Sequence, residues 1–175
     1  SKLPEQMLIE NRNKVFNVLK ELEIGFEVFE HPALDTIDIA LKYWKDIDAV
    51  HCKNLFFRNH KGNKHYLVII KDTTPFSIHS LEKKLKQGKL TFGSEKRLKK
   101  YLGLLPGSVS PFGLINDTDK HVHLFLDEQL QNAAKISFHP NDNTASLVVR
   151  YTDFIKYLKT MGNSYEFIDP SPKNN

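Results

Sequence analysis

The fold turns on the stretch Leu105-Pro106-Gly107-Ser108-Val109-Ser110-Pro111-Phe112-Gly113-Leu114, which sets two glycines, two prolines and two serines among apolar residues. A plain core strand would alternate, and this stretch does not. Gly107 can take backbone angles closed to other residues and lets another group approach its main chain closely. Pro111 lacks a donor and pushes Ser110 towards an extended conformation. Two readings fit. One is a rigid, shaped turn whose N–H groups and hydroxyls face a ligand or a buried polar partner. The other is a wide turn that only joins a helix to a strand.

Upstream, Ser94-Glu95-Lys96-Arg97 opens a basic helix that ends near Gly103. Leu90-Thr91-Phe92 is a short strand, and Ser77 to Lys86 reads as a helix closing at Gly88. Downstream, Leu114-Ile115, His121 to Leu126, Ala134 to Phe138 and Ala145 to Arg150 have strand character. Tyr151 to Met161 is a final helix before Tyr165-Glu166-Phe167-Ile168. Nearer the start, Leu3 to Ile24 carries apolar residues at helical spacing and stops before Gly25. Phe26 to Phe29 is a strand, and Asp35 or Thr36 caps a helix reaching Trp44. Ala49 to Arg58 is an apolar strand that turns at Lys61-Gly62-Asn63-Lys64 into a second one, His65 to Lys71. This alternation predicts one α/β domain over residues 1–169, a mixed sheet with helices around it, and a disordered tail over 170–175.

With 175 residues, 40% hydrophobic and 26% charged, the chain reads as a soluble globular domain. No apolar run approaches the ~20 residues that span a bilayer, so a membrane role has no support. The first residues lack the apolar core of a secretory signal. The single cysteine, Cys52, cannot form an internal disulfide, which points to a reducing cytoplasm. A net charge of +4 leans towards an anionic partner.

Lys53 sits in His51-Cys52-Lys53-Asn54-Leu55-Phe56-Phe57. Alternation puts it on one face with Leu55 and Phe57, with Cys52, Asn54 and Phe56 opposite. It is either a buried ammonium that needs a partner or a strand-end lysine reaching water. His51 and Cys52 point to opposite faces, so they make a poor nucleophile–base pair, and Cys52 reads as a small buried hydrophobe. His139 stands where a strand breaks at Pro140, a position that suits a site residue or a surface-loop histidine. His121 and His123 share a strand face, but no third ligand has metal-site spacing, and no metal or cofactor is expected. The lysines of the two basic helices (83, 84, 86, 89, 96, 99 and 100) and Arg97 form a solvated face or, if both helices present them on one side, a phosphate-tracking surface. No P-loop, dinucleotide fingerprint or nucleophile elbow is present.

Cys52 to Phe57, Leu105 to Leu114 and Phe138-His139-Pro140-Asn141 together resemble the YbaK/ProX-type aminoacyl-tRNA editing domains. The chain looks most like the free-standing prolyl-tRNA deacylases related to the insertion domain of bacterial prolyl-tRNA synthetases. The similarity runs from about Val15 to Tyr157. It implies a mostly antiparallel, barrel-like sheet with helices around it. It also implies an aminoacyl-tRNA hydrolase that removes a wrong amino acid, typically alanine, from proline tRNA. By this resemblance Lys53, Gly107 and His139 form the catalytic set, with Ser108, Ser110, Asn54, Phe56, Ile37, Leu114 and Phe138 as substrate-binding candidates. The implied partners are the acceptor end of mischarged tRNA(Pro) and a prolyl-tRNA synthetase. A cysteinyl-tRNA deacylase and a non-catalytic tRNA- or synthetase-binding module are the alternatives.

Overall fold

The computed structural model describes residues 4–34 and 36–173. Helix α1 (Pro4–Glu21) buries Val15 and Leu19 at helical spacing, and strand β1 (Glu27–Glu30) follows. Of the two expected caps of α2 (Ile37–Trp44), Thr36 does the work, its hydroxyl accepting the Ile39 N–H at 3.2 Å. Asp35 lies outside the described residues. Strands β2 (Val50–Arg58) and β3 (His65–Lys71) form a hairpin, and α3 (Ile78–Leu85), β4 (Thr91–Phe92) and α4 (Glu95–Leu102) follow. Ser77 and Ser94 cap the two helices, accepting the N–H groups of Ser80 and Arg97. Helix α3 ends earlier than the glycine signal suggests, because Lys86 itself takes the left-handed cap conformation. The remaining elements are β5 (His123–Asp127), β6 (Lys135–Phe138), β7 (Ala145–Arg150), α5 (Tyr151–Met161) and β8 (Tyr165–Ile168).

The strands form one mixed sheet in the order β1-β7-β6-β2-β3-β5-β8, with β4 on the free side of β2. Four pairings are antiparallel and three are parallel, and β1 and β8 stand at opposite ends of that order. One face packs Cys52, Phe56, Leu67 and Phe138 against α1, α4 and α5. The other packs Phe57, Tyr66, Val68 and Phe125 against Leu81 of α3. Alternation along β2 therefore feeds two cores at once, as its sequence predicts.

Two expectations need correction. Leu114-Ile115 is not a strand: Pro111–Asn116 is a turn of 3-10 helix, started by Pro111 and capped by the Ser110 hydroxyl, which accepts the Phe112 N–H at 3.1 Å. Proline fixes the φ that begins a helix, and this outweighs the apolar run behind it. The tail from residue 170 is attached as far as it is described: the Pro170 carbonyl accepts the Ser77 N–H at 2.9 Å, and the Lys173 N–H reaches the Ser80 hydroxyl at 3.3 Å.

Candidate active site

Strands β2 and β6 run side by side for only two residue pairs, Val50↔Ile136 and His51↔Ser137. Beyond them the strands part, and β2 gains a neighbour on that side again only at Phe57, where β4 pairs with it. The His51 carbonyl accepts the Asp72 N–H on the β3 side, and the Phe56 carbonyl accepts the Gly93 N–H on the other. By alternation the Asn54 main chain therefore faces the gap, and it has no backbone partner on that side among the described residues. The gap holds a pocket of about 290 Å³ lined by Leu34, Thr36, Ala40 and Trp44 at α2, Cys52 and Asn54 on β2, Gly107 and Val109 on the central turn, and His139.

The central turn is built as its sequence reads. Pro106 and Gly107 occupy its corner, Gly107 at φ +86°, and the Ser108 N–H closes it onto the Leu105 carbonyl at 3.1 Å. This is the arrangement of a proline–glycine turn with a left-handed third residue. A Cβ on Gly107 would meet only the Asn143 amide, at 3.5 Å, so the backbone angle, not space, requires glycine. Among the described residues the Gly107 and Val109 N–H groups have no acceptor, whereas the Ser108 N–H is taken. Ser110 is fully buried with its hydroxyl engaged in the cap, and Ser108 is buried beside it.

His139 donates from Nδ1 to the Ala145 carbonyl at 3.0 Å. A carbonyl only accepts, so the neutral ring keeps its lone pair on Nε2. Burial holds this imidazole below its usual value, opposed by the Ala145 bond. Behind it, His31 reaches the Ser146 hydroxyl at 2.9 Å and the Pro32 carbonyl at 2.8 Å, with its ring edge-on to His139. The loop after His139 is tied down by Arg12 of α1, which binds Asp142 at 2.5 Å, Glu30 at 2.6 and 2.9 Å, and Thr144 at 2.8 Å. Burial acts to raise the Asp142 carboxyl, but bonds from Thr144 and Arg12 hold it below its usual range.

Asn54 carries the clearest mark of a ligand site: its side-chain oxygen is buried and has no partner. Buried polar atoms are normally satisfied, so such an atom calls for an explanation. Cys52 also lines the pocket, but burial pushes its thiol well above 9, leaving it protonated at neutral pH.

Among the residues singled out in the sequence, Asn54, Gly107 and His139 meet at the pocket. Lys53 lies on the opposite face of β2 from its neighbours Cys52 and Asn54. It is exposed, so no buried partner is required. Phe56, Leu114 and Phe138 sit in the first core, Phe138 flooring a narrow recess beneath the pocket. The Ile37 side chain lies outside the described atoms. The apolar walls are instead Leu34, Ala40, Trp44 and Val109. Thr36, Ala40 and Trp44 recur every four residues on α2, a spacing that would have disclosed this wall. Arg12 and His31 carried no sequence signal, because each acts through a partner more than a hundred residues away. His121 and His123 do not converge: the first bonds His65 at 2.9 Å and the second bonds Ser164 at 2.6 Å.

The family model described as an aminoacyl-tRNA editing domain matches residues 31–157, which includes every wall of this pocket. The prolyl-tRNA editing protein ProX of Acetoanaerobium sticklandii is 38% identical over 165 residues, covering 93% of this chain and 99% of that protein. The chain belongs to the aminoacyl-tRNA editing domain family. With that membership stands the enzyme class expected from the sequence, an aminoacyl-tRNA hydrolase. The prolyl-tRNA synthetase associated domain-containing protein 1 of Mus musculus is 30% identical over 149 residues, covering 83% of this chain and 88% of that protein. A solved structure of a candidate trans-editing enzyme for prolyl tRNA synthetase shares the fold of this editing domain, with a TM-score of 0.69 at 19% identity over 99% of this chain and the whole of that one. No described helix is long and apolar enough to cross a membrane.

Proposed function

We propose that this editing domain acts in trans on mischarged tRNA(Pro), hydrolysing the ester of alanyl-tRNA(Pro) with water as the attacking group. The supporting observation is the meeting of an unpartnered Asn54 oxygen, free N–H groups at Gly107 and Val109, and the open Nε2 of His139 around one small pocket. Water adds to the carbonyl carbon and the carbonyl oxygen gains negative charge, which the free N–H groups of the turn are suited to hold. Ser108 cannot share that role while its N–H closes the turn. His139 Nε2 is an acceptor for the proton the water gives up. The ester C–O bond then breaks, the ribose oxygen takes up one proton, and free alanine leaves. Asn54 Oδ1 is an acceptor suited to the substrate's ammonium group.

Lys53 stands between its two wall neighbours, Cys52 and Asn54, at the usual Cα spacing of about 3.8 Å from each, and its flexible stem can bring the ammonium to the mouth of the gap. There it would hold the terminal phosphate. Prolyl-tRNA synthetase, named in the relatives, is the natural source of the mischarged substrate. The apolar walls of this small pocket separate alanine from larger residues by shape, worth a few kcal/mol at most.

The test measures amino acid release from alanyl-tRNA(Pro), with prolyl-, cysteinyl- and seryl-tRNA alongside. Selective alanine release that is lost in Lys53→Ala, with an unchanged melting temperature, is the expected result. Preferential release of cysteine would overturn the alanine assignment. No release from any of the four would leave a tRNA-binding module.

A further inference from the structure

Between residues 83 and 100 the chain carries eight lysines and arginines against one acid, Glu95. The two helices that hold most of this charge pack on opposite faces of the sheet, α3 through Leu81 and α4 through Leu98 and Leu102. They therefore do not form one phosphate-tracking side. Instead they flank β4, two residues long, on the free side of β2. At its tip Phe92 is 65% exposed, more than any other large apolar side chain described. Its ring rests on Phe57 at 4.7 Å, and Phe57 is in turn backed by Phe76, so the outer side of the Phe92 ring has no cover. Single exposed apolar residues are ordinary on protein surfaces. An exposed aromatic ring in the middle of a basic run, beside a cleft, is not.

Register places Phe92 relative to the pocket. It pairs with Phe57, on the same face of β2 as Lys53. Lys53 and Phe57 are four positions apart, roughly 13 Å along a strand, and the open edge at Asn54 lies between them. Lys53, Lys86 and Lys89 are exposed and make no ion pair among the described residues, whereas Lys84 is held by Glu166 at 2.9 Å. Fixed rings with free cations around them are how proteins hold unpaired nucleic-acid strands, since every base has a face to stack.

We propose that Phe92, with Lys53, Lys86 and Lys89, is a platform for the unpaired 3′ strand of an RNA, one base stacking on the Phe92 ring while the lysines hold the flanking phosphates. This rests on the editing reading and extends it, by assigning where the strand leading to the esterified nucleotide lies. The platform makes the β4 edge, not the solvent side of either basic helix, the docking surface.

The experiment uses uncharged hairpin RNAs, so that hydrolysis does not enter. One hairpin ends in an unpaired CCA tail and one is blunt. Binding is read by fluorescence anisotropy at two salt concentrations. Phe92→Ala should weaken binding of the tailed hairpin about tenfold and leave the blunt one unchanged, while Phe92→Tyr should bind like the parent. The exposure of Phe92 leaves the fold intact, which a melting curve checks. Lys86→Gln with Lys89→Gln should flatten the salt dependence of tailed-hairpin binding. Equal tailed-hairpin binding by Phe92→Ala and the parent overturns the platform, as does equal loss on both hairpins. An unchanged salt slope overturns the phosphate contacts. Alanyl-tRNA(Pro) hydrolysis by the parent protein is measured in parallel. A Phe92-dependent tail without hydrolysis refutes the deacylase and leaves the platform, while hydrolysis with a Phe92-independent tail refutes only the platform.

Discussion

The two ends of β2 are opposites. At its far end Asn59 is buried, and its side-chain oxygen accepts the N–H groups of Gly62, Asn63 and Lys64 at 2.9 to 3.0 Å. Arg97 clasps the Gly62 carbonyl and His65, and His65 passes the chain of bonds on to His121. Arginine only donates, so His65 accepts at Nε2 and donates from Nδ1. At the near end, around Asn54, the side-chain oxygen has no partner and the main chain faces a gap. One strand thus leads into a satisfied network that fixes a turn and carries an unsatisfied one that borders an open pocket. What distinguishes structure from function here is not polarity, which both ends have, but whether the polar groups already have their bonds.

The contrast breaks most visibly in activity at the near end. His139→Ala should lower alanyl-tRNA(Pro) deacylation by about 10²–10⁴-fold, the usual worth of a positioned acid or base, with little change in melting temperature. Single-turnover hydrolysis beside a thermal melt separates the two effects. If the melt collapses with the rate, His139 is a structural residue.

The far end should answer in stability instead. Asn59 is buried but the turn it closes is largely exposed, so Asn59→Ala leaves three N–H groups to water in place of their acceptor, a loss of about 1–3 kcal/mol. Urea unfolding should show it, while deacylation per folded molecule stays near the parent's. A matching fall in specific activity would mean that the two ends are not independent.

The smallest expected effect is a pH dependence. Burial, followed by His121, Arg97 and neighbouring cations, lowers the His65 imidazole from 6.5 to about 4. Between those values the unfolded chain takes up a proton that the folded one does not. Stability is therefore flat above about 6.5 and falls as pH drops towards 4, by at most about 3 kcal/mol from this group. Burial also lowers His51, His123 and His139, which act in the same sense. Urea midpoints at pH 7.5, 6 and 5 measure the trend, and His65→Gln should flatten it. A parent curve level down to pH 5 would contradict the neutral relay.

What could be read from sequence follows the range of each interaction. The caps at Thr36, Ser77 and Ser94 and the left-handed Gly107 are local devices, and local signals announce them. The hairpin at Gly62 and the two-faced β2 were legible for the same reason. The 3-10 turn at Pro111 is hidden in sequence because its apolar residues imitate a strand. The site was half legible. Gly107 and His139 stand at breaks in the pattern and draw notice, whereas Leu34 and Val109 look like any apolar residue until the chain folds them together. Lys53 shows the limit of alternation, which assigned its face correctly but could not say whether that face was covered. The charge on α3 and α4 was plain, yet their opposite faces are a matter of topology that no window of sequence contains.

The narrow junction of β2 with β6 also sets an order in time. Val50 meets Ile136 only after more than eighty intervening residues are in place, and Glu27 meets Val148 across roughly 120. Closing such loops costs entropy before any contact offsets it, so the β2–β3 hairpin forms early and the seam late. On a ribosome, residues through Arg150 must emerge before β7 can bridge β1 and β6. A nascent chain therefore has no complete pocket until most of it has been made, and a truncated product carries the basic edge without the candidate site.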